Sequence, residues 1–129
     1  MAATLLLAVA AIPQEREVKA VATVTQLMQA MVIPASNALF NLPRNVPEDD
    51  QGWPEVQNSA VILAESGNLL MIGSRAQDSE VWTATSRALV EAGEAALRAA
   101  QAKDVESISE AGNQIIEACE SCHEKHWIR

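Results

Sequence analysis

Residues 104–123 read DVESISEAGNQIIEACESCH, and the apolar steps within them decide what kind of chain this is. Val105, Ile108, Gly112, Ile115, Cys119 and His123 follow one another at intervals of three or four, the spacing of one stripe along an α-helix. Asp104 stands where an N-cap belongs, just before the first apolar position. The stripe ends in chemistry. Cys119, Cys122 and His123 lie at i, i+3 and i+4, so all three project from one helix face and can grip a single planar ligand. C-x-x-C-H is the spacing of a covalent c-type haem site, where two thiols add to the vinyl groups on one porphyrin edge and the adjoining imidazole binds iron.

Three other chemistries use the same residues. A zinc site would have to draw on Cys119, Cys122, His123 and His126, the only cysteines and histidines in the chain, and one helix positions them poorly around a tetrahedral ion. A thioredoxin-like redox pair belongs in a strand-helix-strand setting, of which the sequence shows no sign. A structural disulfide is the third. The expected cofactor is one covalent haem c.

The 129 residues fit one domain, and about half are hydrophobic, with abundant alanine, no tyrosine, one phenylalanine and no alternating β-branched runs. That composition predicts an all-α protein. A formal net charge of −8 excludes nucleic acid and anionic membrane surfaces as expected partners and favours a basic protein. Met1 to Ile12 form an apolar run containing Ala8-Val9-Ala10, like the h-region and cleavage site of a secretory signal, although no Lys or Arg precedes it. We read 1–12 as a signal-peptide remnant and 13–129 as the domain; the rival is an N-terminal helix extension. A membrane span needs about 20 such residues, so no integral span is expected. Export to the periplasm agrees with haem attachment outside the cytoplasm.

Working outward, three more helices are expected. The first starts near Gln14, with the stripe Val18, Val21, Thr25, Met28, Val32, Ala35 and Leu39, and Pro34 predicts a kink between Ala30 and Pro34. Residues 41–52 carry Pro43, Pro47 and loop chemistry. Trp53-Pro54-Glu55 opens the second helix, which buries Val56, Ala60, Leu63, Gly67 and Leu70 and ends at Gly73 or Ser74. Asp78 is the expected cap of the third, whose stripe is Trp82, Thr85, Leu89, Ala92, Ala96 and Ala99. Its small side chains predict close helix packing.

Short connections make an antiparallel up-down-up-down four-helix bundle the simplest fold, with the haem near the C-terminal end of the last helix. That topology brings Thr25 and Met28, Leu70 and Met71, and Trp82 to the haem, with Phe40 and Trp53 at the opposite end. His126 is too close to His123 to reach the distal face, and Trp82 and Trp127 are read as haem packing.

With C-x-x-C-H near its end, this pattern resembles the class II cytochromes c, the cytochrome c-prime superfamily, over roughly Glu17 to Trp127; Val24-Thr-Gln-Leu-Met28 and Gly67-Asn-Leu-Leu-Met71 look like segments of small exported relatives. The resemblance implies a periplasmic monohaem protein with Cys119 and Cys122 as thioethers and His123 as proximal iron ligand. Some members fill the sixth iron position with a methionine of the first helix and transfer electrons; others leave it empty and bind small gases. Met28 is the expected metal ligand here, ahead of Met31 and Met71; for each of the three the alternative is core filling. Gas-binding members carry an aromatic and then a basic residue three and four positions after the haem histidine; here these are His126 and Trp127. The departure favours electron transfer, with a redox partner protein and no catalysed reaction. The alternative is a five-coordinate binder of nitric oxide or carbon monoxide. The family also suggests a homodimer through the first two helices.

Overall fold

The computed structural model describes residues 18–77 and 79–126, and among these the secondary structure is entirely helical. The expected leader, residues 1–12, the cap Asp78 and Trp127 lie outside the described residues. No helix among the described residues is long and apolar enough to cross a membrane.

The first rod is built in three runs: α1 (Val24–Leu27), a π-helical segment (Met28–Val32) and α2 (Ile33–Asn41). It begins later than the apolar stripe predicts. Val18 and Val21 are not helical and are 61% and 86% exposed, because the helix is stopped at its N-terminus by a capping box. The Thr23 hydroxyl accepts from the Gln26 amide at 3.2 Å, while Oε1 of Gln26 accepts from the Thr23 amide at 3.0 Å. The expected irregularity before Pro34 is a π turn rather than a simple bend. Pro34 offers no N–H to the carbonyl of Ala30, and the ladder loosens so that the Ile33 amide reaches back five residues to the Met28 carbonyl. One extra residue in the turn shifts the buried stripe, which runs through Leu27, Val32, Ala35, Ser36 and Leu39 and leaves Thr25 exposed.

A short 3₁₀ turn (Leu42–Arg44) leads to α3 (Trp53–Leu70), which has Pro54 in its first turn as expected. The next helix is α4 (Glu80–Gln101). Its cap is Ser79, whose hydroxyl accepts from the Trp82 amide at 3.0 Å, and not Asp78. Ser79 wins because its extended backbone stands three residues before the first free amide it can reach. A Schellman ending follows, with the Lys103 and Asp104 amides donating to Ala100 and Ala99 and Lys103 in the left-handed region at φ 56°. Asp104 then caps α5 (Val105–Lys125) as the sequence indicates.

Four helical rods pack against one another: α4 lies against α3 and α5, and α2 lies against α3 and α5. The α3–α4 contact is very close. A Cβ built on Gly93 would stand 2.6 Å from the Ala64 nitrogen, and one on Gly67 would stand 2.6 Å from the Ser86 carbonyl oxygen. Later residues of one helix thus meet earlier residues of the other, so this pair runs antiparallel. Trp82 extends the pairing, with its indole N–H donating to the Leu70 carbonyl at 2.9 Å in a fully buried setting. Burying so large a side chain contributes on the order of 2–3 kcal/mol, provided its N–H keeps a partner.

Candidate functional site

The last turns of α5 carry the motif residues toward the other rods. Ile108, Ala111, Ile115 and Ala118 are buried in register, and Cys119, Cys122 and His123 continue that face as half-buried side chains. A cavity of about 120 Å³ opens against them. Met28, Ser36, Leu70, Ser86 and Leu89 complete much of its wall from the first rod, α3 and α4. A second cavity, of about 210 Å³, shares Met28, Ile33, Cys122 and His123 with the first and is closed by Thr25, Trp82 and His126.

Of the eight expected site residues, seven line these two cavities. Met28 lines both, at the start of the π segment, a type of irregularity that often marks a functional site. Thr25 lines the second cavity from an exposed position, and Trp82 lines it from a buried one. Met71 is the exception. It lies in neither wall, and its amide instead closes the end of α3 onto Asn68 and Leu69.

Both cysteines are free thiols. Burial is the largest influence on Cys119, followed by electrostatic repulsion from Cys122 and Glu120, and together they raise its pKa above the ordinary thiol value. A thiol held protonated is the opposite of what a redox-exchange nucleophile needs. Among the described residues no three His, Cys, Asp or Glu side chains converge on a common metal position.

His126, which lines the second cavity, is held by two neighbours of α4. Its Nε2 lies 3.0 Å from the Ser79 hydroxyl, and its ring meets Trp82 edge-on at 5.2 Å between centroids. Ser79 therefore serves two partners, the Trp82 amide and His126.

No family model, curated protein or solved structure matches this chain. The chemistry therefore has to be argued from the residues themselves.

Ser86 is the site residue that sequence reasoning missed. It is 2% exposed, lines the first cavity, and its hydroxyl has no hydrogen-bond partner. Leaving such a group unpaired costs about 1–3 kcal/mol. A signal is present, since Ser86 is four residues after Trp82 and three before Leu89, but the apolar stripe of the sequence passes through Thr85 instead. Arg75 was also missed. It is buried, donating from Nε to the Leu69 carbonyl at 2.7 Å and from Nη1 to the Ala22 carbonyl at 3.1 Å, which ties the segment before α1 to the end of α3.

Proposed function

We propose that this protein is an exported monohaem c-type cytochrome that carries electrons. The single observation that carries this is one shared cavity, lined by Cys119, Cys122 and His123 of α5 and by Met28 of the first rod. Two half-buried thiols and an imidazole on one helix face, opposite a mostly apolar wall, suit a flat apolar ring better than a tetrahedral ion. In this reading Cys119 and Cys122 would form the thioethers, His123 and Met28 would bind the iron, and Leu70, Trp82 and Thr25 would line the haem's surroundings. When bound, haem supplies a one-electron couple at its iron.

The protein's own contribution is to hold and shield. Helix α5 carries three attachment atoms together, and Met28, at the start of the π turn of the first rod, lines the same cavity. The finer architecture belongs to the same proposal: an antiparallel up-down-up-down bundle with the haem toward the C-terminal end of α5. So does periplasmic location, and so does a basic redox partner. A homodimer through the first two rods is the assembly that accompanies it.

The test is the visible spectrum after maturation in a periplasm. A sharp low-spin reduced spectrum with a weak iron–methionine charge-transfer band near the red limit is expected. Met28→Ala should turn it high-spin and let carbon monoxide bind, while Met31→Ala should not. Absence of a haem spectrum defeats the proposal. A high-spin wild type moves the function to gas binding.

A further inference from the structure

Ser86 is the one buried side-chain polar atom without a partner among the described residues. Helical hydroxyls ordinarily donate to a carbonyl three or four residues back, and Ser36, Ser59, Ser66, Thr85 and Ser109 all do so here. Ser86 does not. The carbonyl it would use, that of Trp82, lies 3.3 Å from the Thr85 hydroxyl, which already donates to Val81 at 2.7 Å. The orphan hydroxyl belongs to the wall of the same cavity as Met28, Cys119, Cys122 and His123.

We propose that Ser86 is a positioning residue for the axial sulfur, its hydroxyl donating to Sδ of Met28 when haem is held between Met28 and His123. This rests on the reading of Met28 as an iron ligand. A thioether sulfur has two lone pairs, and coordination uses one of them, leaving the other as a weak acceptor. Met28 is also the cavity residue whose side chain is brought to a defined place by what it ligates. A donor on that sulfur withdraws electron density from it. Iron(III) loses more from a weakened ligand than iron(II), so the hydrogen bond favours the reduced protein.

The experiment compares the periplasm-matured wild type with Ser86→Ala, Ser86→Thr, Met28→Ala and the Ser86→Ala/Met28→Ala pair. The readouts are haem content, the iron–methionine band and the oxidised-to-reduced ratio at a fixed poise. Ser86→Ala should keep its haem and its low-spin spectrum, raise that ratio about threefold, the effect of part of one modest hydrogen bond, and move the band. Ser86→Thr should restore the wild-type ratio. In the Met28→Ala background the Ser86→Ala change should have no effect on the ratio. A wild type that shows the band while Ser86→Ala leaves band and ratio unchanged overturns this proposal alone, as does an equal shift in the Met28→Ala background. A haem-loaded wild type with no band overturns the Met28 reading and this proposal with it.

Discussion

Cys119 stands half-buried on the motif face of α5, and the effect of that burial on its thiol is measurable. Burial pushes the Cys119 thiol up from its ordinary value of 9.0, so less of it is thiolate at neutral pH. In the apoprotein, Cys119 should alkylate with iodoacetamide several-fold more slowly than an unfolded control peptide at pH 7.5, as followed by mass spectrometry of the two sites. The sign for stability follows from the same shift. An acid whose folded pKa is raised contributes fully below its unfolded value and loses that contribution as pH rises from there through the folded value. Apoprotein stability should therefore decline above about pH 9, and Cys119→Ser should flatten that decline in urea midpoints. Equal alkylation rates and an unchanged profile would contradict the burial argument.

The helices are limited by how they end and how closely they meet. At the start of α5, the Asp104 carboxylate accepts from the Ser107 hydroxyl at 2.7 Å and from its amide at 3.1 Å, which holds the acid below its ordinary 3.8. A depressed carboxylate contributes above its unfolded pKa and loses the contribution as pH falls through the folded one. Asp104→Asn keeps the cap but removes the titration, so its urea midpoint should fall less than the wild type's between pH 5 and pH 2, taken as about two units either side of the ordinary carboxylate range. Along α3 and α4 the constraint is steric. Alanine is the better helix former by about 1 kcal/mol, yet at Gly93 its methyl would stand 2.8 Å from the Cα of Ala64. Backbone cannot swing aside as a side chain can. Gly93→Ala is expected to lose about 1–3 kcal/mol in urea denaturation, against the propensity trend. A gain in stability would mean that the two helices separate more easily than their contact implies.

Taken whole, the molecule is an acidic body with a half-buried site at its motif. Glu91, Glu94, Glu106, Glu110 and Glu117 are all exposed on α4 and α5, within a chain of net charge −8. Long-range attraction of a basic partner weakens as the screening length shrinks from about 30 Å at 0.01 M salt to about 8 Å at 0.15 M. If the protein carries electrons as proposed, stopped-flow electron exchange with a basic redox protein should slow about tenfold over that range, and exchange with an acidic one should not slow. A flat salt dependence would leave the acidic faces as ordinary solvated surface.

Much of this was legible in the sequence because local rules and burial agree along the later helices. The stripes through α3, α4 and α5 fall mostly on buried residues, with Val56, Thr85, Val105, Cys119 and His123 half-buried, and Pro34 announced an irregular turn. The start of the first rod was misplaced even though Thr23 and Gln26 form a readable capping box; apolar Val18 and Val21 continued the period but found nothing to pack on. Three features belong to tertiary structure alone: the π register that places Met28 between both cavities, the buried Arg75 reaching Ala22, and the unpartnered hydroxyl of Ser86. The reason is physical. Periodicity records which face of a helix turns inward, but which atoms meet there depends on how far each neighbouring rod has turned and slid, and only packing among distant residues decides that.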